Sequence, residues 1–389
     1  MSDRQYELIV FGSTGYTGRL VAEYLHGEYG DDLNWAMAGR SQDKLEAVRA
    51  EMGLPESVDL VVADSSSPDS LKALAESAQA VITTVGPYQL YGEPLVKACV
   101  EAGTDYVDLS GEPAWMRDMI DRYDDAAKET GARIVHSCGF DSIPFDMGVY
   151  FLQREAKAKG GAPLSKVRGR VRKMEGKFSG GTAASLGQTL VRAKKEPHIL
   201  GWLKDPFSLS GGFSGPAQPT GHKPIEDADL GSWSAPFIMA AINTKNIHRS
   251  NALMGHAYGE DFTYDEMMFT GPGEKGEQIA NFIASQDPFG ENPPKPGEGP
   301  TKEERENGFY DIGFYGGEGD DMMVAVVTGD KDPGYGSTSK MIAEAALCLT
   351  RDVDRATTPG GVYTSAPAMG NALIDRLEAH AGLTFKIES

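Results

Sequence analysis

Six short apolar runs, separated by helical patterns, return about every 25 residues through the first third of the chain, and this repeat constrains the fold more than any other feature. The runs are YELIVF (6–11), LNWAMA (33–38), VDLVVA (58–63), AVITTV (80–85), DYVDL (105–109) and ARIVH (132–136). Strands this apolar are buried on both faces, and strands that alternate with helices form parallel sheets. The sequence therefore predicts an α/β fold, with a doubly wound parallel sheet of the Rossmann, dinucleotide-binding type.

The pattern changes after Pro144. A helix is predicted from about Phe145 to Lys159, followed by an exposed strand of alternating basic and small residues, KVRGRVRKMEG (166–176). Strands near 308–315 and 322–328 lie among Gly- and Pro-rich stretches, which indicates a second, α+β domain.

The chain therefore divides into three parts. We predict a Rossmann domain at 1–144, an α+β substrate and dimerisation domain at 145–335, and C-terminal helices at 336–389 that pack back on the Rossmann domain. Segment 287–300 is interpreted as a surface connector in preference to an active-site lid.

The charge and the cysteine content exclude several classes of protein. Among 389 residues the formal net charge is −20, which disfavours nucleic acid and an anionic membrane surface as partners. No apolar stretch is long enough to span a bilayer, and no signal peptide precedes the first strand. The three cysteines are far apart, which is typical of a reducing compartment. These features predict a cytoplasmic protein without an integral membrane segment.

A glycine-rich loop joins the first strand to the first helix. Gly12, Gly15 and Gly18 provide a tight turn, a close approach to a pyrophosphate, and close packing of the helix on the strand. The helix then presents free N–H groups to the phosphates. We predict that the cofactor contacts the whole loop: Gly12, Ser13, Thr14, Gly15, Tyr16, Thr17 and Gly18.

The end of the second strand distinguishes between the two nicotinamide cofactors. An NAD site usually places a carboxylate there, but this chain has Arg40 and Ser41, with Lys44 one turn further on. These groups suit a 2′-phosphate, so NADP is predicted. Asp64, after the third strand, is predicted to contact the adenine edge or, alternatively, to cap the next helix.

The fourth strand ends in Val85, Gly86, Pro87 and Tyr88. In a doubly wound sheet this end lies near the nicotinamide, so the first three residues are predicted to contact the cofactor and Tyr88 to line the reaction cavity. The alternative is a plain loop with an aromatic packing residue.

Several familiar active sites are absent from the sequence. No tyrosine is followed four positions later by lysine, and neither Gly-x-Ser-x-Gly nor His-Glu-x-x-His occurs. The seven histidines form no pair at ligand spacing, so no metal site is predicted.

The segment from His136 to Pro144 follows the sixth strand, where catalytic groups gather in this fold. Asp141, Ser142 and His136, together with Tyr88, are the catalytic candidates by position. The alternative is that Asp141 and Ser142 cap the following helix. A glycine turn at 178–182 is predicted to bind substrate or merely to join a strand to a helix.

The sequence resembles the saccharopine dehydrogenase-like oxidoreductases, and within them the branch called trans-acting enoyl reductases. The resemblance spans almost the whole chain and includes GSTGYTGRLVAEYL, AGRSQDKL, TTVGPYQLYGEPLVKACVEAGTDYVDLSGE, CGFDSIPFDMG, SGGTAASL and DPGYGSTSKMIAEAALCL. It implies an NADP-type Rossmann domain on Gly12, Gly15, Gly18, Arg40 and Ser41. It also implies hydride delivery from NADPH to an activated carbon–carbon double bond of a lipid or polyketide intermediate.

Three functions follow from the sequence. The first is an NADPH-dependent oxidoreductase that reduces an acyl substrate, either free or bound to a carrier protein, in a cleft lined by the apolar segment 233–242. The second is a saccharopine dehydrogenase-type C–N oxidoreductase, which requires basic residues around substrate carboxylates: Arg168, Arg170, Arg172 or Arg249. The third is a catalytically silent NADP-binding sensor or scaffold. A homodimer is expected only by analogy.

Overall fold

The computed structural model describes residues 4–176, 180–287 and 297–388, without the side chains of Thr182, Ala183 and Asp320. Its fold is built on two seven-stranded sheets. No helix in these ranges is both long and apolar enough to cross a membrane.

The first sheet is entirely parallel, as the βα repeat predicts. Its strands from the N-terminal region are β1 (Tyr6–Phe11), β2 (Trp35–Gly39), β3 (Asp59–Val62), β4 (Ala78–Thr83), β5 (Asp105–Val107) and β6 (Arg133–Val135). The intervening helices are α1 (Tyr16–Tyr29), α2 (Gln42–Glu51), α3 (Pro68–Ser77), α4 (Tyr88–Tyr91), α5 (Glu93–Ala102) and α6 (Pro113–Thr130). In the central strand β1, Leu8 and Val10 belong to the core on one side of the sheet, and Ile9 and Phe11 to the core on the other side.

The second domain is built on a mixed sheet. Its strands are β7 (Lys166–Glu175), β8 (Ile225–Asp227), β9 (Ser232–Pro236), β10 (Thr263–Gly271), β11 (Phe309–Gly316) and β12 (Met323–Gly329). Its helices are α7 (Ile143–Ala158), α8 (Gly180–Lys195), α9 (Ile199–Lys204), α10 (Ala240–Leu253), α11 (Gly273–Ser285) and α12 (Lys302–Asn307). Only β7 and β10 pair in parallel; the other pairs are antiparallel.

The C-terminal segment contributes to both sheets. It contains α13 (Thr338–Leu347), β13 (Gly361–Tyr363), α14 (Ser365–Arg376) and β14 (Leu383–Ile387). Strand β13 pairs in parallel with β6 at one edge of the first sheet, and β14 pairs with β12 at one edge of the second sheet. The sequence predicts only helices here, because strands of three and five residues leave little periodicity to detect.

Strand β7 corrects the expectation of an exposed strand at 166–176. It lies in the middle of the second sheet, between β11 and β10, and Arg170 is fully buried. The Arg170 guanidinium lies 2.7 Å from an Asp227 carboxylate oxygen and 2.9 Å from an Asp265 carboxylate oxygen. These ion pairs compensate for the burial of the charge, which the alternating basic pattern does not reveal.

A buried ion pair joins the C-terminal segment to the first sheet. Arg133 Nη2 lies 2.5 Å from Asp105 Oδ2 and also donates to the carbonyl of Leu349 at 2.6 Å. The same carboxylate oxygen lies 2.8 Å from Arg355. The pair therefore holds residues 349–355 against strands β5 and β6.

Replacing Asp105 by alanine is expected to lower the free energy of unfolding by about 3–5 kcal/mol, because it leaves the buried Arg133 without its counter-charge. Denaturant unfolding of Asp105→Ala measures this loss. The control is Asp125→Ala, which removes a highly exposed carboxylate 3.4 Å from Lys128 and should cost no more than about 1 kcal/mol. Equal losses in the two variants would contradict the role of the buried pair.

Candidate active site

The loop between β1 and α1 has the backbone form that a pyrophosphate requires. Gly12 has a φ of +97°, and a Cβ at Gly18 would lie 2.2 Å from the carbonyl oxygen of Gly12. Side chains are therefore excluded at both positions. Helix α1 begins at Tyr16 with no side-chain cap and no acidic residue in its first turn, so its N-terminal N–H groups suit an anion.

One residue of this loop has a structural role that the sequence does not reveal. The Ser13 hydroxyl is buried, donates to the carbonyl of Val10 at 2.5 Å and accepts the N–H of Ala38 at 3.2 Å. Its side chain therefore ties the loop to β1 and β2, and its backbone N–H donates to the carbonyl of Ala38 at 3.2 Å, so Ser13 positions the loop and the cofactor contact predicted for it stays a prediction.

The residue directly after β2 is Arg40, which carries a positive charge. Arg40 is exposed, and within the described parts of the chain no hydrogen bond or ion pair engages its guanidinium. Ser41 caps α2 by accepting the backbone N–H of Lys44 at 3.4 Å. The geometry thus leaves Arg40 and the Lys44 side chain available to a 2′-phosphate.

Asp64 forms a local turn after β3. Its carboxylate accepts the N–H of Ser66 at 2.8 Å and the hydroxyl of the same residue at 2.7 Å. These two bonds hold the pKa of Asp64 below its usual range. Ser67, and not Asp64, caps α3, so the helix-cap alternative for Asp64 is wrong, and the adenine contact stays a prediction.

The segment after β4 borders a cavity of about 450 Å³ between the glycine loop and the second domain. The cavity is lined from the first domain by Gly15, Tyr16, Thr17, Thr84, Gly86, Pro87, Tyr88, Leu109, Gly111, Pro113 and Asp141. From the rest of the chain it is lined by Gly181, Ala184, Ser185, Leu186, Thr189, Leu190, Leu203, Ile238, Met239, Ala241, Ile242, Lys245, Gly297 and Tyr335. Most of the second group is apolar, so the cavity joins a cofactor-binding edge to an apolar wall.

Segment 233–242 contributes to that wall in an unexpected way. From the sequence, the segment is predicted to line an apolar cleft or, alternatively, to form a buried core helix. The segment forms strand β9, a short turn and the start of α10. The turn residues Ile238 and Met239 and the first-turn residues Ala241 and Ile242 line the cavity.

Val85 is distinct from its two neighbours in the β4 segment. Its backbone N–H donates to the Thr83 hydroxyl at 3.3 Å, and its side chain packs against the core. Gly86 and Pro87 line the cavity, and the peptide bond between them is cis. The last two are therefore better placed than Val85 to contact a bound group.

Asp141 is the acidic side chain that lines the cavity. Burial alone raises the pKa of its carboxyl from the usual 3.8 to about 7. A large fraction of the molecules therefore carries a protonated carboxyl here at neutral pH. His136, another candidate from the sequence, is buried 2.7 Å from Asp108 and does not line the cavity. Among the catalytic candidates, Asp141 is therefore the one that can exchange a proton with a bound molecule.

Ser142 belongs to a buried hydrogen-bond chain and does not line the cavity. Its hydroxyl donates to Asn243 Oδ1 at 2.6 Å and accepts Asn246 Nδ2 at 2.8 Å. Asn243 in turn donates to Glu266 at 2.7 Å. Both capacities of the hydroxyl are used, so the catalytic role considered for Ser142 is replaced by a structural one that fixes the residue next to Asp141.

Tyr88 lines the cavity with its ring, but its hydroxyl is engaged by the backbone. The hydroxyl donates to the carbonyl of Thr83 at 3.0 Å and accepts the N–H of Leu109 at 3.0 Å. The geometry therefore does not support Tyr88 as a proton donor. Position along the sequence indicates that a side chain is near the cleft, but not where its polar atom points.

Replacing Tyr88 by phenylalanine is expected to lower the free energy of unfolding by about 1–3 kcal/mol, because the N–H of Leu109 and the carbonyl of Thr83 lose a partner. We expect kcat to fall less than tenfold. Denaturant unfolding and steady-state kinetics measure the two effects. A hundredfold fall in kcat with intact stability would restore Tyr88 as the proton donor.

Two further polar groups belong to the site, and of these Lys245 was not predicted from the sequence. Lys245 lines the cavity from α10, and its Nζ donates to the carbonyl of Asp205 at 2.5 Å. Burial lowers the pKa of its ammonium to about 8. Glu112 accepts the N–H groups of Tyr88 and Gln89, both at 2.8 Å, and so braces the β4 loop. A lysine within an otherwise apolar and amide-rich segment was the available signal for Lys245.

Some sequence predictions fall outside the described residues. In the turn at 178–182, residues 178 and 179 lie outside them, as does the side chain of Thr182. Of segment 287–300, residues 288–296 lie outside them.

A doubly wound parallel sheet, a glycine loop and a cavity shared with a second domain define a two-domain, NADP-dependent oxidoreductase of the Rossmann class. Residues 8–135 match the family model for the saccharopine dehydrogenase NADP-binding domain. This confirms the NADP prediction and places the nucleotide domain where the βα repeat indicated it.

Relatives extend the match to the whole chain. A putative trans-acting enoyl reductase of Mycobacterium tuberculosis (strain ATCC 25618 / H37Rv) is 40% identical over 98% of this chain and 97% of its own. A trans-acting enoyl reductase of Mycobacterium ulcerans (strain Agy99) is 36% identical over 97% and 96%. The chain therefore belongs to the trans-acting enoyl reductase family.

Among solved structures, apo saccharopine dehydrogenase (L-Glu forming) from Saccharomyces cerevisiae has a similar fold. The TM-score is 0.50 with 15% sequence identity, covering 99% of this chain and 100% of that one. At this identity the likeness concerns the fold alone.

Proposed function

We propose that the protein is a cytoplasmic NADPH-dependent enoyl reductase that acts on an acyl substrate, free or bound to a carrier protein. The carrying observation is the Asp141 carboxyl, which lies in a largely apolar cavity bordered by the glycine loop and the β4 segment. The names of the relatives support the same reaction.

The glycine loop, Gly86 and Pro87 are the residues that would hold the cofactor. When bound, NADPH supplies a hydride to the β-carbon of the double bond. We assign to Asp141 the transfer of its proton to the α-carbon, which leaves a carboxylate that solvent reprotonates. Because the carboxyl is protonated below about pH 7, it can perform this step at neutral pH.

Lys245 complements Asp141 in the proposed reaction. Reduction of an enoyl thioester places negative charge on the carbonyl oxygen in the transition state, and a cation in a cavity of low polarity stabilises such charge. Lys245 lines the same cavity and donates to Asp205, which orients its side chain. We assign to it the polarisation of the substrate carbonyl.

The apolar wall favours an aliphatic chain as the remainder of the substrate. Leu186 and Leu190 line the cavity, yet 42% and 52% of their surfaces are exposed. The cavity therefore opens between leucine side chains. An acyl chain longer than the cavity can leave through this opening while it remains in contact with apolar atoms.

The geometry disfavours the C–N oxidoreductase. Arg168 and Arg172 form ion pairs with Asp229 and Asp311, and Arg170 with Asp227 and Asp265. Arg249 donates to the carbonyls of Leu209 and Val362. All four guanidinium groups considered for substrate carboxylates are thus already engaged.

The silent-sensor alternative requires a cleft with no room beside the cofactor. The apolar wall contributed by α8, α9 and α10 instead leaves space next to the glycine loop and the β4 end. We therefore propose catalysis in preference to sensing alone.

The direct test is to incubate the protein with NADPH and a medium-chain 2-enoyl thioester. We expect oxidation of NADPH, measured as the loss of absorbance at the nicotinamide band. The product should have gained two hydrogen atoms. Deuterium at the transferable position of NADPH should appear at the β-carbon. Controls are the saturated thioester, and a 2-oxo acid with an amine donor. Turnover with the 2-oxo acid but not with the enoyl thioester would replace our proposal by C–N chemistry.

A further inference from the structure

A segment of the second domain lies against the nucleotide loop. We call residues 297–307 the strap; it contains α12. The Tyr16 hydroxyl donates to the carbonyl of Pro300 in the strap, and Arg305 Nη1 donates to the Tyr16 hydroxyl at 2.5 Å. Arg305 also donates to the carbonyl of Pro300 at 3.0 Å, and its guanidinium carbon lies 5.6 Å from the centre of the Tyr16 ring.

Close packing holds the strap in this position. A Cβ at Gly299 would lie 2.4 Å from the Tyr16 ring, so the strap can approach this closely only because residue 299 is glycine. Tyr335 packs edge-on against Tyr16, with 4.8 Å between the ring centres, and its hydroxyl donates to the carbonyl of Glu298 at 3.1 Å.

The orientation of Arg305 is fixed by the start of its helix. Thr301 caps α12, with its hydroxyl accepting the N–H of Glu304 at 3.3 Å, while the Glu304 carboxylate accepts the N–H of Thr301 at 2.8 Å. This capping box sets the first turn, so that Arg305 faces the glycine loop.

The charge of Arg305 is available at the phosphate end of α1. Tyr16 is the first residue of α1, where the N–H groups open to a phosphate. Arg19, one turn further along α1, is paired with Glu51 at 2.9 Å. Arg305 has no ion-pair partner within the ranges that the structure describes. Burial raises the pKa of the nearby Asp332 carboxyl, and the charge of Arg305 offsets only part of that rise.

Asp332 does not form an ion pair with Arg305. Its two carboxylate oxygens accept the N–H groups of Tyr335 at 3.0 Å and Gly336 at 2.8 Å, so this carboxylate is committed to its own turn.

We propose that Arg305 is a cofactor-binding residue contributed by the second domain, and that its guanidinium pairs with the pyrophosphate of NADP(H) over the first turn of α1. A pyrophosphate is the anionic group nearest to this turn in a dinucleotide site. Its oxygens suit the two-pronged donor geometry of a guanidinium. The inference rests on NADP binding and not on which substrate is reduced.

Arg40 and Arg305 are expected to bind different phosphate groups of the cofactor. Arg40 faces a phosphate that only NADP(H) has, whereas the pyrophosphate occurs in both NADPH and NADH. Loss of Arg305 should therefore weaken both cofactors equally, while loss of Arg40 should weaken NADPH alone.

The test is to titrate the whole protein, wild type and Arg305→Met, with NADPH, NADH and 2′-AMP, using cofactor fluorescence or calorimetry. 2′-AMP carries the 2′-phosphate but no pyrophosphate. We expect Kd for NADPH and NADH to rise together by about 10- to 100-fold, and Kd for 2′-AMP to stay within twofold. Lys302→Met, which removes an exposed cation from the same helix, is the control and should change none of the three.

A second variant separates charge from folding. Gly299→Val should push the strap away from Tyr16 and weaken the binding of NADPH and NADH in the same proportion, while leaving Arg305 in the chain.

A Kd for NADPH within twofold of wild type in Arg305→Met would overturn the proposal. An equal loss of 2′-AMP binding would also overturn it, since this indicates a general distortion of the nucleotide site. Neither result depends on enoyl reduction, so failure of the proposed reaction is distinguishable.

Discussion

Replacing Asp141 by asparagine is expected to lower kcat for enoyl reduction by about 10²- to 10⁴-fold, the usual contribution of a positioned general acid. Asparagine keeps the shape of the side chain but cannot supply the proton that the α-carbon needs. Because no hydrogen bond to Asp141 contributes to its raised pKa, the substitution should leave the surrounding structure unchanged. Steady-state kinetics with saturating NADPH measure the effect.

The pH dependence tests the same assignment. The pKa of Asp141 is raised to about 7, so the acid form predominates below that pH and is lost above it. In the wild type, kcat/KM should therefore fall as pH rises through about 7. The residual activity of Asp141→Asn should lack this fall and keep only the one near pH 8, where Lys245 loses its charge. The NADPH Kd of the variant serves as the control and should remain within a few-fold of the wild-type value. A kcat within tenfold of wild type would show that another group donates the proton.

Replacing Arg40 by alanine is expected to raise Kd for NADPH by about 10- to 100-fold and to leave Kd for NADH unchanged. A guanidinium paired with a phosphate contributes charge-assisted hydrogen bonds of about 1.5–3 kcal/mol. Among the described residues no hydrogen bond or ion pair engages Arg40, and its charge contributes only a minor part of the lowered pKa of Asp64, so its removal should act chiefly on the 2′-phosphate. Parallel titrations with both cofactors measure the selectivity.

The matched control for Arg40 lies in the neighbouring helix. Arg49, near the end of α2, donates to the carbonyl of Val58 at 2.9 Å and is directed away from the glycine loop. Arg49→Ala should leave the ratio of the two dissociation constants unchanged. If Arg40→Ala weakened NADPH and NADH equally, Arg40 would not contact the 2′-phosphate.

Local patterns were sufficient to predict the nucleotide domain. Apolar strand runs and the positions of Gly12 and Gly18 depend on backbone geometry within a few residues, so the sequence carries them directly. The choice of NADP depended on Arg40 in place of a carboxylate, which is also local. These predictions required no knowledge of which distant elements meet.

The cavity was less predictable because distant segments build it. Tyr88 and Ser142 were correctly placed near the end of a strand, but their hydroxyls are turned to Leu109 and to Asn243, partners set by the fold. Lys245 reaches the cavity from α10, more than a hundred residues after Ser142 in the sequence. Arg170 resembled a surface cation until the structure showed Asp227 and Asp265 beside it. In each case a long-range contact decides the role of the side chain.

The path of the C-terminal segment has a consequence for how the chain acquires its structure during synthesis. Strands β13 and β14 complete one edge of each sheet, and Leu349 accepts a hydrogen bond from the buried Arg133. The chain must therefore be synthesised through residue 363 before the first sheet gains its last strand, and through residue 387 before the second sheet does. Until then the edges of β6 and β12 remain open to pairing with other chains, a route to aggregation that β13 and β14 close.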